Sequence, residues 1–402
     1  MKKKLLKAQL IILSVLIIST CFNSCDFITD KDSTEYALIS SNNLSSDGFW
    51  YDLYENNTAV ITGADNSVTT LKIPSKVVNY KVTAIGDKAF SDNVDIIYVI
   101  INENIKRIGE KAFSNCTSLV RVDLCNSALE INSDAFSSCK NLCEINYTDN
   151  LTYLGDRAFF RCSSLAFFSF PKTLTFIGEE TFYGCKCLTN IALPKNLTEI
   201  GKYAFSYCEA LSVIDFGELS QIPESAFEYC SSLVSVTFDK KITSIGIRAF
   251  RNCINLTDVK FDKNVEYIGY SAFEETAWQK LQTEKFLIVG DGILMLYTGT
   301  ETNVVIPDNV KTISDAFCGN QTIINVAIPN KVTTIGNYAF CGCTLLTTVT
   351  FSDSVTLIEE YAFNSCPSLY SVNFGGTQSK WDNISISKGN TDLINANILY
   401  NQ

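Results

Sequence analysis

The chain has 402 residues, among them 26 Phe and 16 Cys, and 32 basic against 43 acidic side chains give a formal net charge of −11. That acidity argues against nucleic acid as a partner and against docking on anionic lipid by charge. There is no histidine, which removes Ser-His-Asp and Cys-His nucleophile chemistry, histidine-ligated zinc and the usual acid–base group at neutral pH.

Residues 1–24 have a targeting pattern. "MKKKLLK" is a charged start, and "LIILSVLII" (residues 10–18) is an apolar stretch too short to span a bilayer. Two cysteines come next in "ISTCFNSCDF". This resembles a bacterial lipoprotein signal, in which a small residue precedes a cysteine that is lipidated and becomes the mature N-terminus. Ser24-Cys25 fits better than Thr20-Cys21, so Cys25 is the expected lipidation site and Cys21 the alternative. Neither has the leucine three residues upstream that such signals favour, and a plain cleaved secretory signal is the competing reading. Residues 25–35 then form a polar tether. Residues 36–82 alternate short β runs and turns, as in "GFWYDLYENNTAVITG", and are expected to cap the apolar end of the segment that begins at residue 83.

Residues 83–374 are periodic. Phe90, Phe113, Phe136, Phe159, Phe182, Phe205, Phe227, Phe250, Phe273, Phe317, Phe340 and Phe363 are separated by nine gaps of 23 residues, one of 22 and one of 44. Such a period marks a solenoid whose coils bury their apolar faces on one another. In "IKRIGEKAFSNCTSLVRVDL" (residues 105–124), Leu119, Val122 and Leu124 are expected inward, with a bend between the first two, and Val120, Arg121 and Asp123 outward. The glycine after each Ile of the first apolar run suits a turn of positive φ. Asn132, Pro223, Ser314 and Glu359 replace it in four coils. The Ala-Phe pair is expected on one helical or 3₁₀ turn. Its Phe would form an aromatic spine at a coil spacing of about 4.7–4.9 Å. Thr181 is the one exception to the alanine.

Nine cysteines, Cys116 to Cys366, stand three residues after a spine Phe. A disulfide ladder would need Cβ atoms about 3.8 Å apart, where stacked coils offer about 5 Å. A metal ladder would need thiolates converging from different faces. The remaining reading, which the geometry favours, is a buried small residue whose S–H bonds a backbone carbonyl. Asn93 and Asn320 at the same position agree with a polar ladder. Cys125, Cys143, Cys187, Cys318 and Cys341 follow no column, and so many unpaired thiols in an exported chain suggest a reducing habitat.

The 44-residue gap holds a divergent coil at 277–306, in which "FLIVGDGILMLY" (residues 286–297) is a hairpin signal. Residues 375–402 drop the spine and are expected to cap the far end with Trp381.

The frame "IGxxAFxxCxxLxxVxF" over roughly residues 83–374 resembles the BspA-like leucine-rich repeats, the 23-residue class also called Treponema-type. The resemblance implies a repeat solenoid: a curved, right-handed leucine-rich-repeat solenoid of about 12–13 coils, with a parallel β-sheet on its concave side and β-rich caps at both ends. Many members are surface lipoproteins or secreted proteins of anaerobic bacteria, and some are implicated in attachment to host matrix proteins or other cells. Fold alone does not carry function.

Two outward strand columns are the place to look for a site: Tyr98, Arg121, Glu144, Phe167, Asn190, Val213 and onward to Ser371, and Ile100, Asp123, Asn146, Ser169 and onward to Asn373. Neither holds a supported carboxylate pair, a phosphate-cradling loop or an aromatic platform. No catalytic residue, cofactor or metal is expected. The leading expectation is a non-enzymatic, outer-membrane lipoprotein binding a protein of the host matrix or of another cell surface, with no ligand-binding residue specified. The alternative is a periplasmic scaffold for other envelope components.

Overall fold

The computed structural model describes residues 36–65, 68–124, 129–146 and 149–401. Three inter-coil ladders run along the chain: two of short parallel strands and one of turns.

The first strand ladder carries the Ile-Gly run. It links Thr58–Ala64 to Tyr80–Ile85, Arg107–Ile108 and Leu129–Ile131, and continues to Glu199–Ile200. Further stretches start from Gln221–Ile222 and from Ile293–Tyr297, the last ending at Ser385–Ile386. This ladder makes about 15 turns. The total exceeds the number of spine Phe because Thr58–Ala64 and Ser385–Ile386 at the ends, and Ile293–Tyr297 of the divergent coil, join the stack without one. Leu38–Leu44 pairs antiparallel with Phe49–Tyr54, which in turn pairs antiparallel with Thr58–Ala64, itself the first rung. At the far end Asn397–Tyr400 pairs in parallel with Ser371–Phe374.

Within the ladder the residue after the Ile donates its N–H to a carbonyl of the preceding coil, as Gly201 does to that of Ile177 (2.8 Å) and Gly246 to that of Ile222 (2.7 Å), except at one position. Proline at position 223 has no N–H to give, and the ten-stranded sheet stops at Glu199–Ile200.

The second strand ladder carries the outward columns, from Thr70–Lys72 through Arg121–Asp123 to Asn397–Tyr400, with interruptions. Leu119 lies in the turn before its strand, where its N–H bonds the Cys116 carbonyl at 3.1 Å, so the expected bend is present.

The turn ladder corrects two expectations. Ala-Phe does not sit on a helical turn. Positive φ falls two residues before and two after the Phe, at Lys111 (55°) and Asn115 (61°) around Phe113 and at Tyr203 (56°) and Tyr207 (59°) around Phe205. These left-handed residues aim alternate N–H groups out of the coil. Lys111, Phe113 and Asn115 donate to the carbonyls of Ser133, Ala135 and Ser137 on the next coil at 3.0, 2.7 and 2.7 Å. A helix would have kept those bonds inside the coil.

The glycine column is the second correction, since none of Gly109, Gly155, Gly178, Gly201, Gly246 or Gly269 has positive φ. A Cβ on Gly201 would stand 2.3 Å from the Glu179 nitrogen, and one on Gly178 2.5 Å from that of Asp156. Close approach of stacked backbones, not turn geometry, demands the glycine.

The spine is present. Phe rings stack at 5.2 to 5.5 Å from Phe90 to Phe273, and at 4.9 and 5.0 Å through Phe317, Phe340 and Phe363. The spacing slightly exceeds the expected one. Thr181 fits the alanine site because its hydroxyl donates to the carbonyls of Gly178 (2.8 Å) and Gly155 (3.1 Å). Across the divergent coil, Trp278 packs on Phe273 at 5.3 Å and Tyr297 on Phe317 at 5.0 Å. The expected hairpin is there: Phe286–Val289 pairs antiparallel with Ile293–Tyr297. Trp381 packs on Phe374 (5.3 Å) and Phe351 (5.9 Å) at the far end.

The hairpin supplies no Ala-Phe turn, so the turns on either side of it meet directly. Ser271 N–H, which in an ordinary coil would reach a carbonyl of the next, donates instead to the Asp315 carboxylate at 2.7 Å. Tyr270 and Tyr338 pack across the same joint at 4.3 Å.

Candidate functional site

The nine column cysteines are buried and free. Each donates its S–H to the spine Phe carbonyl of the preceding coil, from Cys116 to Phe90 (3.1 Å) to Cys366 to Phe340 (3.1 Å). Burial pushes the Cys253 thiol up to about 12, and Cys162 and Cys208 higher still. These thiols are structural, not reactive. Asn93 and Asn320 do something different. Their side-chain oxygens accept N–H bonds from residues two and three further on, at 2.9 to 3.0 Å. Cys318 and Cys341 are not scattered; they share one turn position on adjoining coils.

On the outward strand face, Arg121 bridges Asp123 at 3.0 Å and Glu144 at 3.5 Å, while Asn146 donates to Asp123 at 2.9 Å. Phe167 and Val213 of the same column are each 59% exposed. This gives a mixed face with isolated apolar positions and no chemical centre.

A second surface lies on the turn ladder. Phe160, Tyr183, Tyr207 and Tyr229 lie in a row with ring centroids 5.1, 5.2 and 4.3 Å apart, the outer pairs stacked and the middle pair tilted, each partly exposed. The Arg157 and Arg161 guanidinium groups stand 4.0 and 5.0 Å from the Phe160 ring centroid. Asp134 (3.1 Å) and Glu180 (3.0 Å) hold the Arg157 guanidinium in place. At the other end, Arg251 bridges Glu274 at 2.8 Å and Glu228 at 3.6 Å. Burial, then the hydrogen bond with Tyr229, pushes the Tyr207 phenol up to about 12, so it stays a neutral donor. Tyrosine and arginine on a rigid ledge are the side chains that carry much of the binding energy at protein interfaces. Sequence reading missed the row because its members step from one to two residues after the spine Phe, giving gaps of 23, 24 and 22.

Among the described residues, no group of three or more His, Cys, Asp or Glu side chains could hold a metal ion, and no helix is long and apolar enough to cross a membrane. Cys25 and Cys21 lie outside the described residues.

The model of the BspA type leucine rich repeat region matches residues 64–166, 154–282 and 296–400. The chain belongs to that family. A leucine-rich repeat protein of Bacteroides ovatus is 23% identical in sequence, aligned over 89% of this chain and 90% of that one with a TM-score of 0.51, and shares the fold of this BspA-type chain. A leucine rich cell surface protein of Faecalibacterium prausnitzii is 24% identical over 90% and 100% of the two chains, with a TM-score of 0.43. The T. pallidum leucine rich repeat protein is 26% identical over 53% and 90%, with a TM-score of 0.40. No curated protein matches the chain.

Proposed function

We propose that this BspA-type protein is a non-enzymatic, exported lipoprotein that presents its coils to a macromolecular partner, a protein of the host matrix or of another cell surface. In this reading residues 1–24 are removed and Cys25, or Cys21 in its place, carries the lipid. Residues 25–35 hold the solenoid off the outer membrane. The observation that carries the binding role is the ledge of Phe160, Tyr183, Tyr207 and Tyr229 flanked by paired arginines. Its members lie on successive coils of a rigid stack, so binding would cost little side-chain ordering.

The test is binding of the purified protein to immobilised matrix proteins and to whole cells, beside a Tyr183→Ser/Tyr207→Ser double variant. Binding that the double variant loses, at unchanged thermal stability, supports the ledge. Equal binding by both proteins moves the partner to another face, and failure to bind any matrix or cell surface removes the adhesion role.

A further inference from the structure

Away from the buried ladder, two thiols meet at the surface. Cys318 is exposed and Cys341 partly exposed, and both are free. They stand one residue after Phe317 and Phe340, on turns joined by bonds from Phe317 N–H to the Ala339 carbonyl (3.0 Å) and from Gly319 N–H to the Cys341 carbonyl (2.7 Å). The spine is at its tightest here, with ring centroids 4.9 Å apart.

Each cysteine precedes a glycine of left-handed conformation, Gly319 (φ 72°) and Gly342 (φ 73°). A Cβ on Gly319 would meet nothing within 4 Å. Equivalent stacked positions place Cβ atoms about 5 Å apart, and a disulfide wants about 3.8 Å. Two adjoining glycine turns without side-chain packing can make that adjustment, whereas the buried cysteines cannot.

We propose that Cys318 and Cys341 are a redox pair that closes to a disulfide between adjoining coils on reaction with an external disulfide. Cys341 reacts first. Its sulfur accepts the Asn364 Nδ2–H at 3.8 Å, which positions it on the turn facing Cys318. Partial burial, then the Cys341 thiol beside it, pushes the Cys318 thiol up to about 12. The Cys341 thiolate attacks the external disulfide, forming a mixed disulfide and releasing one small thiol. That consumes the neighbouring thiolate. Cys318 then loses its proton and attacks the Cys341 sulfur, expelling the second small thiol. Two protein thiols and one external disulfide thus become one protein disulfide and two small thiols. The bond would staple the two coils that follow the divergent segment, whose spine residues Phe317 and Phe340 belong to the second core cluster.

The test treats the purified full chain with oxidised glutathione, blocks remaining thiols and maps peptides by mass spectrometry. The expected result is a peptide pair joined through Cys318 and Cys341, with neither of these two thiols left to alkylate and neither carrying glutathione. Cys143, also exposed, is expected to end as a mixed disulfide with glutathione. In Cys318→Ser, Cys341 should stop at the mixed disulfide. The proposal is overturned if both cysteines of the wild type finish as separate mixed disulfides, or stay reduced after Cys143 has reacted, or join two chains instead of two coils.

Discussion

The Cys139 thiol donates to the Phe113 carbonyl, one coil back, at 3.1 Å. The same carbonyl accepts the Cys116 N–H at 3.2 Å. One acceptor thus ties the turn of its own coil to the side chain of the next, and the bond recurs wherever two such coils stack.

Replacing Cys208 with Ser is expected to lower stability without changing the number of disulfides. The hydroxyl can still reach toward the Phe182 carbonyl, now 3.3 Å from sulfur. Its shorter C–O bond and smaller oxygen leave both a longer contact and lost packing. The cost should be about 1 kcal/mol, read as a fall in thermal midpoint. Mass mapping that found Cys185 joined to Cys208 would overturn the polar-ladder role.

Truncating Phe205 to Ala removes a fully buried ring stacked 5.3 Å from Phe182 and 5.5 Å from Phe227. The loss should be about 3–5 kcal/mol. Because each coil touches only its neighbours, hydrogen exchange should rise first in coils 182–227 and least at the chain ends.

Gly201→Ala is expected to destabilise although its φ is unexceptional, because the new methyl would meet the Glu179 backbone at 2.3 Å. Lys111 gives the opposite case, with φ at 55°. Lys111→Gly should be more stable than Lys111→Ala by about 1 kcal/mol, since only the glycine adopts that conformation freely. Chemical denaturation of the three variants checks both signs.

The joint over the divergent coil should make stability depend on pH. Burial pushes the Asp315 carboxyl up to about 6 and that of Glu359 up to about 7. The folded chain therefore holds more protons than the unfolded chain between the ordinary carboxyl range and those values. Stability from these groups is greatest below that window and falls as pH rises through it, by at most about 1.4 kcal/mol per pH unit per group. Asp315→Asn should flatten the lower part of this slope, since its amide oxygen can still accept the Ser271 N–H. A variant with the same pH profile as the wild type would show that Asp315 does not titrate there.

Much of this was legible in the sequence because the stack repeats it. A Phe every 23 residues leaves one solution, and a Cys three residues on must face the same interior. Trp381 and the Gly290–Gly292 hairpin could also be read, since each breaks the period with residues of plain chemistry. What could not be read has physical causes. Lys, Asp, Arg and Tyr at left-handed positions carry no composition signal for positive φ, so the sequence suggests a single helical or 3₁₀ turn at the Ala-Phe pair where the structure has the turn ladder. A glycine demanded by a neighbouring coil looks in sequence like a glycine demanded by its own turn. The aromatic ledge slips register by one residue between Tyr183 and Tyr207. Cys318 and Cys341 form no column in the sequence because only one adjoining pair of coils places cysteine there.

The most direct test of the surface role is protease shaving of intact cells, with mass spectrometry of the released peptides. Release of peptides from the coils between Phe90 and Phe363 without lysis is the expected result. Protection of those peptides until the cells are broken would contradict it and place the solenoid inside the envelope, where a scaffold role would replace adhesion.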